Sequence, residues 1–355
     1  MQTVRYGIIG AGVIANIVAR SFTEGRGAVA TAVSDVDAGA ARKLAEAVGA
    51  KRTYADYTKL LADPEVDAVY IATPPFLHRP MVLEAIREGK HVCCEKPFVL
   101  SRAEAVEIAA AQAWKPHLKV TSCSSRLHDS GTARRARRMV AEGELGEVYR
   151  VHFEQVTSPP KPGSTLPAWR NDPLKNGGGI SFDWGCYDLD WMSFVLGGLF
   201  RPRLVFGTLG SYFPVSAERV PPAPNVDGRL CAEILCDNGL TIHWERRAGE
   251  HGPDRHAIEL RGRKEGINVA FVPMGEKQAL RRFAYAGAAD LEETVLPDEI
   301  PAWENTLVFP IRDHAAAILG NLAPSSTVED NIRIHGVLDA LIESARTRQA
   351  VSIPS

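Results

Sequence analysis

Strand-like and helix-like stretches alternate through the first third of the chain, and this alternation constrains the fold most. The short apolar stretches are predicted strands: 4–9, 28–34, 67–73, 91–95 and 119–124. The stretches between them are predicted helices: 11–23, 38–48, 79–88 and 102–113. In one of these, Ala41, Leu44, Ala45 and Val48 recur at spacings of three and four, the period of a helix face. The alternation predicts βαβ units and a doubly wound parallel sheet.

Beyond residue 124 the pattern changes, and predicted strands follow one another: 147–156, 203–213, 230–236, 240–246, 257–263 and 267–272. Asp237, Asn238 and Gly239 separate two of them and are typical of a hairpin turn. Successive strands with hairpin turns predict an open, mostly antiparallel sheet. Two proline-rich loops, 158–167 and 214–224, interrupt this half and are either active-site lids or surface loops.

The length of 355 residues suits two domains. We expect an α/β domain over 1–124 and an α+β domain over 125–355, the second with helices on one face of its open sheet. Helices are predicted at 308–319 and 328–346, and these C-terminal helices can pack back against the first domain.

Composition narrows the classes of function. Lys and Arg total 41 against 43 Asp and Glu, a net charge of −2, which argues against nucleic acid or a membrane surface as partner. No uncharged stretch reaches the roughly 18 residues of a transmembrane helix. The six cysteines form no CxxC pair and no metal-type spacing, so we expect reduced thiols, no metal site and a cytoplasmic location.

A glycine motif, G-x-G-x-x-A, follows the first predicted strand and opens the first helix at Gly10, Gly12 and Ala15. In this context it is typical of a dinucleotide-binding (Rossmann) sheet. Gly10 permits the tight turn, and Gly12 lets the backbone approach a pyrophosphate at the helix N-terminus. Val13 and Ile14 belong to the same turn. The alternative is a purely structural glycine turn.

Asp35 ends the second predicted strand, 25 residues after Gly10. A carboxylate at this point accepts hydrogen bonds from the ribose 2′-hydroxyl of NAD and repels the 2′-phosphate of NADP. Val36 stands where a cation would be needed for that phosphate. The pattern therefore favours NAD over NADP, the alternative being that Asp35 merely caps a turn.

The third and fourth strands of this domain end in polar motifs, where doubly wound sheets bind ligands. Thr73 and Pro74, with His78 nearby, follow one strand, and Glu95, Lys96 and Pro97 end the next. Pro97 restricts the backbone of Lys96 to an extended conformation. A lysine held there can bind a substrate hydroxyl or help to remove its proton, although a lone lysine is usually a surface residue.

A third block begins with three glycines at 177–179 and continues through Asp183, Tyr187 and Asp190. If 183–196 is one helix, Asp183 and Tyr187 are i, i+4 neighbours on one face. A tyrosine hydroxyl and a carboxylate make a plausible pair for moving protons. The alternative is an acid-rich helix N-terminus with Tyr187 packed as an ordinary aromatic residue.

Together these motifs resemble the glucose–fructose oxidoreductase / inositol dehydrogenase (Gfo/Idh/MocA) family. The resemblance spans the chain and implies NAD(P)-linked oxidation or reduction of sugars or polyols. It implies that Lys96 is catalytic, that Asp183 lies beside it, and that homodimers or homotetramers form through the open sheet. The predicted cofactor contacts are Gly10, Gly12, Val13, Ile14, Asp35, Thr73, Pro74, His78, Glu95 and Lys96.

Tyr187 departs from the inositol-dehydrogenase pattern, which has histidine at this point. In this it is similar to the glucose–fructose oxidoreductase and dihydrodiol dehydrogenase branches. Tyrosine, with an ordinary pKa of about 10, is a poor base at neutral pH, and an adjacent Lys96 would lower that pKa. We therefore expect a Lys96–Tyr187 couple oriented by Asp183. The weaker candidates for substrate contact are Arg126, Trp169, Arg170 and Asp190.

The expected activity is hydride transfer between nicotinamide and a secondary alcohol, ketone or hemiacetal carbon of a sugar or polyol. Two alternatives stay open. One is redox-neutral use of NAD, in which transient oxidation drives elimination or isomerisation. The other is a non-catalytic NAD-binding sugar sensor.

Overall fold

The computed structural model describes residues 3–23, 27–157, 168–210, 226–249, 252–270, 279–286, 290–297 and 303–354. The chain divides into two compact units. The first comprises Met1–Arg126 and Glu304–Ile332, and the second Leu127–Trp303 and Arg333–Ser355. The first unit thus takes in a C-terminal segment besides the N-terminal third.

The first unit contains six parallel strands: β1 Val4–Ile9, β2 Ala28–Ser34, β3 Arg52–Tyr54, β4 Ala68–Ile71, β5 His91–Cys94 and β6 Val120–Ser122. Its order, β3-β2-β1-β4-β5-β6, confirms the predicted doubly wound sheet. The direction of strand succession reverses between β1 and β4, which is where such sheets bind dinucleotides.

Helices connect these strands: α1 Val13–Val18, α2 Ala38–Val48, α3 Tyr57–Leu61, α4 His78–Arg87 and α5 Arg102–Ala113. In α2 the four predicted apolar positions are the buried ones, and Gly49 ends the helix in the left-handed conformation. Side chains on both faces of this sheet are buried, such as Val69 and Tyr70 of β4, as expected for strands covered by helices.

The second unit contains a nine-stranded sheet: β7 Val148–Thr157, β8 Pro202–Gly210, β9 Arg229–Cys236, β10 Thr241–Ala248, β11 Arg255–Gly262, β12 Glu265–Asn268, β13 Ala279–Ala286, β14 Asp290–Pro297 and β15 Val351–Ser352. Its order is β14-β13-β12-β11-β7-β10-β9-β8-β15. Among the strand pairs that the structure describes in this sheet, only β7–β10 is parallel, so the mostly antiparallel prediction is confirmed.

The remaining helices are α6 Gly131–Ala141, α7 Pro173–Asn176, α8 Ile180–Asp183, α9 Gly185–Leu196, α10 Trp303–Thr306, α11 Phe309–Gly320 and α12 Val328–Thr347. One face of the second sheet shares a core with helices α6, α9 and α12, through Phe153 on β7 and Trp244 on β10. The residues that alternate with these, such as His243 and Cys231, point to the opposite face.

Strands β13 and β14 were not predicted, because Arg, Glu and Asp interrupt their apolar residues, and residues 290–295 of β14 are exposed. Residues 211–213 and 271–272 of two predicted strands lie outside the described residues, as do the loops 158–167 and 214–224. Among the described residues, no helix has the length and apolar character needed to cross a membrane.

Candidate active site

The glycine turn lies at the carboxyl end of β1. Gly10 has φ +96°, and its N–H donates to the Ser34 carbonyl at 2.8 Å. A Cβ at Gly10 would stand 2.8 Å from the carbonyl oxygen of Ala72, so both the backbone angle and the space require glycine. A Cβ at Gly12 would meet no protein atom within 4 Å. The backbone at Gly12 is therefore open to a ligand, which fits the approach of a pyrophosphate.

Asp35 fastens this turn to the end of β2. Its Oδ2 accepts a hydrogen bond from the Ala11 N–H at 2.6 Å, and its Oδ1 accepts one from the Asp37 N–H at 2.8 Å. Asp35 thus has the turn-capping role that the sequence left open. Each carboxylate oxygen has a second lone pair, so this role is compatible with binding a ribose hydroxyl.

Apolar surface flanks this carboxylate. Val13 and Val36 are 78% and 94% exposed, while Ile14 in α1 is half-buried. Exposed valines beside an acidic residue at a sheet edge suit the apolar body of a nucleoside. The residues of this edge therefore fit the cofactor predicted from the sequence.

His78 ties two loops of the first unit together. Its side chain has no exposed surface, and Nε2 lies 2.9 Å from the Thr73 carbonyl and Nδ1 2.8 Å from the Pro97 carbonyl. Burial lowers the pKa of His78, although the two carbonyls oppose the shift. These contacts give the buried His78 side chain a positioning role, and its predicted contact with the cofactor stays a prediction. Thr73 and Pro74 are half-buried beside it.

Glu95 anchors the lysine loop from inside the sheet. It is buried, and its Oε1 accepts hydrogen bonds from the Tyr70 hydroxyl at 2.5 Å and from the Arg126 guanidinium. Burial raises the pKa of Tyr70, which keeps the hydroxyl protonated as a donor. Glu95 Oε2 accepts from the Lys96 N–H at 3.2 Å, and the Lys96 side chain is half-buried. The network fixes the backbone of the residue predicted to be catalytic.

Arg126 therefore has a role that the sequence did not predict. It is 2% exposed and forms a buried ion pair with Glu95, while its expected contact with the substrate stays a prediction. An arginine next to a strand end gives no local signal of burial. Its partner lies 31 residues away, directly after strand β5.

In the second unit, the glycine block wraps around Asp227. The Asp227 carboxylate accepts hydrogen bonds from the Gly179 N–H, the Ser181 N–H and the Ser181 hydroxyl, each at 2.8 Å, and its carbonyl accepts from the Ile180 N–H. A Cβ at Gly179 would overlap that carbonyl oxygen. Glycine at 179 thus permits a close approach of the chain to itself, and Asp227 carried no sequence signal.

Asp183 pairs with a predicted substrate residue. The Arg170 guanidinium lies 3.2 Å from Asp183 Oδ2, and both side chains are about one-third exposed, at 33% and 29%. Arg170 also stacks on the Trp169 ring, at 5.3 Å from the ring centroid. The structure brings these three predicted residues together, with a carboxylate, a guanidinium and an aromatic surface partly open to solvent.

Tyr187 lies in the first turn of α9, which begins at Gly185. Trp184 separates α8 from α9, so the single helix predicted over 183–196 is two helices. Tyr187 is 2% exposed, and its ring packs 5.7 Å from that of Trp184. Asp183 is the last residue of α8, and the i, i+4 argument does not apply as made.

Two buried acids hold α9 in place. Asp188 receives a bidentate contact from Arg246, at 2.6 and 2.5 Å, and a hydrogen bond from Trp244 Nε1 at 2.9 Å. Asp190 is 1% exposed, with His128 Nε2 2.6 Å from its Oδ2. The enclosed carboxylate thus has a structural contact, and its predicted contact with substrate stays a prediction. Neither partner was predicted.

The first unit thus has the fold and glycine turn of a dinucleotide-binding domain, on the same chain as an open-sheet domain. A family model described as an oxidoreductase family with an NAD-binding Rossmann fold matches residues 4–121, and the GFO/IDH/MocA C-terminal domain matches 133–268. The two matches cover more than half of the chain. The chain belongs to the Gfo/Idh/MocA oxidoreductase family, as the resemblance indicated.

Relatives of the chain include a 1,5-anhydro-D-fructose reductase from Ensifer adhaerens, 34% identical over 54% of this chain and 56% of that protein. A myo-inositol 2-dehydrogenase from Thermotoga maritima is 28% identical over 74% of each chain. A structure of levoglucosan dehydrogenase in complex with NADH and levoglucosan superposes with a TM-score of 0.84 at 20% identity, covering 100% of both chains. That last likeness concerns the fold.

Proposed function

We propose that the protein is an NAD-dependent dehydrogenase or reductase of a sugar or polyol. The proposal rests on the arrangement of the residues at the carboxyl edge of the first sheet. There the backbone is open at Gly12, Asp35 fastens the turn, and Glu95 anchors the backbone of Lys96. The chain belongs to the Gfo/Idh/MocA family, and the two relatives named above are enzymes of a sugar and a polyol. Both findings support sugars or polyols as the substrate class.

The proposed cofactor is NAD in preference to NADP. The Asp35 carboxylate would repel a 2′-phosphate, and the exposed neighbour Val36 offers no cation to offset that repulsion. Comparing kcat/KM with NAD+ and NADP+ tests this preference, and a higher value with NADP+ would contradict it.

A bound nicotinamide would supply or take up the hydride, so that the residues of the chain have to move only the proton. We propose that the Lys96 ammonium stabilises the phenolate of Tyr187, so that Tyr187 takes the proton from the substrate hydroxyl in oxidation and returns it in reduction. Asp183 orients the pair, and Arg170 and Trp169 bind the sugar through hydrogen bonds and ring stacking. Proton transfer by a positioned side chain contributes a factor of about 10² to 10⁴ in rate.

The variants Lys96→Ala and Tyr187→Phe test this assignment. Each removes the group that handles the proton, and Phe keeps the ring that fills the buried site. We expect each to lower kcat by a factor of about 10² or more, and Tyr187→Phe to leave the NADH affinity, measured by fluorescence titration, unchanged. The double variant should lose little more than either single variant, because the two groups act as a unit.

A matched control is Tyr149→Phe, which removes an exposed tyrosine hydroxyl on β7 of the same unit and should keep full activity. Full activity in both Lys96→Ala and Tyr187→Phe would show the assignment to be wrong. Product formation without net NADH would favour the redox-neutral alternative. Ligand-dependent binding of a partner without turnover on any sugar or polyol would favour the sensor.

We also propose that copies of the chain associate through the open face of the second sheet. Phe206 and Leu235 lie on that face, 47% and 42% exposed. Burying apolar side chains of this size favours association. Light scattering should give a dimer or tetramer, and a monomer at micromolar concentration would contradict the proposal.

A further inference from the structure

The open face of the second sheet carries a cluster of donor atoms outside the residues proposed for catalysis. Strands β9 and β10 form an antiparallel hairpin in which Cys231 pairs with Glu245 and Glu233 with His243. Within the described part of the chain, one group of three His, Cys, Asp or Glu side chains has its donor atoms close enough to hold a metal ion. It consists of Cys231, His243 and Glu245, with the atoms within 4.8 Å of one another.

The histidine is oriented from outside the cluster. His243 Nδ1 lies 2.5 Å from Glu233 Oε1, a distance at which the ring N–H donates to the carboxylate. In the neutral ring this leaves the lone pair on Nε2. Nε2 faces Glu245 Oε2 at 3.5 Å. A lone pair and a carboxylate oxygen at that distance repel each other unless a proton or a cation lies between them.

Glu245 is also oriented by a neighbouring side chain. One carboxylate oxygen, Oε1, is in an ion pair with Arg247, and Oε2 faces His243. In a single copy of the chain the side chains of His243 and Glu245 are 22% and 11% exposed, so the cluster is sheltered but open toward the face through which association is proposed. Burial and the Glu245 charge raise the pKa of the Cys231 thiol, which keeps its proton until a cation displaces it.

We propose that Cys231, His243 and Glu245 form a binding site for a zinc-class divalent cation. The ligands would be Sγ, Nε2 and Oε2, with water in the fourth position of a tetrahedral site. Thiolate and imidazole select zinc over the hard cations Mg²⁺ and Ca²⁺, which prefer all-oxygen sites. The Glu233 carboxylate on Nδ1 is the outer partner that metal-bound histidines usually have.

The site was invisible to spacing rules, because its ligands come from two strands and the separation of Cys231 from His243 fits no metal motif. The Asp237-Asn238-Gly239 turn brings them together by setting the register of the hairpin. The proposal concerns side chains of the second unit alone and does not depend on the proposed catalytic activity.

The test uses the full chain, stripped with a chelator and titrated with Zn²⁺, and with Co²⁺ for spectroscopy. We expect one metal ion per chain and a thiolate-to-cobalt charge-transfer band. Both should be lost in Cys231→Ser and in His243→Asn. The matched control is Cys236→Ser, which changes a buried cysteine of the same strand outside the cluster and should bind as the parent does.

Two further measurements separate the site from adventitious binding. Glu233→Gln should keep the stoichiometry but weaken binding by a factor of about 10 to 100, because it changes only the outer partner of the histidine. Binding should weaken as pH falls, since the thiol and the imidazole must lose protons to bind metal. Zn²⁺ should raise the Tm of the parent and leave that of Cys231→Ser unchanged.

Either of two results would overturn the proposal. The first is a parent protein that binds no more Zn²⁺ or Co²⁺ than Cys231→Ser, which would indicate a protonated His243 between two carboxylates. The second is a cobalt spectrum that keeps its charge-transfer band in Cys231→Ser, which would place the metal on other residues. Circular dichroism of the metal-free variants checks that they are folded.

Discussion

Replacing Arg126 by leucine separates the buried role seen in the structure from the substrate role expected from the sequence. The change leaves the Glu95 carboxylate buried, at 4% exposure, without the guanidinium that neutralises it. Breaking a buried ion pair by removing one partner costs about 3–5 kcal/mol. The Tyr70 hydroxyl and the Lys96 N–H still donate to Glu95, so we expect a loss near the lower figure, about 3 kcal/mol.

The assay is hydrogen exchange of the β4 and β5 amides, which reports the free energy of opening of the first unit by itself. A loss of about 3 kcal/mol corresponds to exchange more than 100-fold faster in the regime limited by the opening equilibrium. Arg126→Lys keeps the charge and should lose less. Glu95→Gln in the Arg126→Leu background removes the orphaned charge and should recover part of the loss.

The same variant gives the refuting result directly. Suppose that Arg126→Leu exchanges at the parent rate and instead raises the KM for the sugar with kcat unchanged. Arg126 would then bind substrate, as first expected, and the assignment of the Glu95 network would be wrong. If both the exchange rate and the KM change in Arg126→Leu, Arg126→Lys separates the two roles. A positioning role requires the exchange rate and the KM to recover together.

Two further predictions concern the second unit. Gly179→Ala should destabilise the second unit by about 1–3 kcal/mol or prevent its folding, because the added Cβ meets the rigid carbonyl of Asp227. In the control variant Gly198→Ala no protein atom lies within 4 Å of the new Cβ, so the free energy of unfolding in denaturant should be nearly unchanged. Burial lowers the pKa of His335 from 6.5 to about 3, so folding favours the neutral imidazole. The part of the folding stability that depends on this neutral form is complete above pH 6.5 and is lost as pH falls toward 3. Between pH 8 and pH 5 this loss is about 2 kcal/mol, and His335→Leu should remove that part of the pH dependence; an unchanged pH profile would contradict the burial argument.

The elements that local patterns specify were predictable. The βαβ alternation fixed the parallel sheet, and the apolar spacing of α2 identified its buried face. The hairpin at Asp237–Gly239 likewise followed from turn chemistry. These features depend on neighbours within a few residues, and the chain encodes them locally.

The partners of buried charges were not predictable in the same way. Arg126 meets Glu95, Asp190 meets His128 and the glycine block meets Asp227 only after strands and helices pack. A charged residue near a motif suggests a ligand contact when its neighbours are unknown. The cluster of Cys231, His243 and Glu245 was predictable in part, because extending the hairpin register from its turn pairs Cys231 with Glu245.

The most direct test of the proposed activity follows a hydride from substrate to cofactor. Sugars and polyols deuterated at the reacting carbon are incubated with the protein and NAD+, and the cofactor is analysed by mass spectrometry. At least one substrate should yield deuterated NADH in equal amount to oxidised product, and Tyr187→Phe should suppress both. Product formed with no deuterium in the cofactor would contradict hydride transfer to NAD as the reaction of this protein.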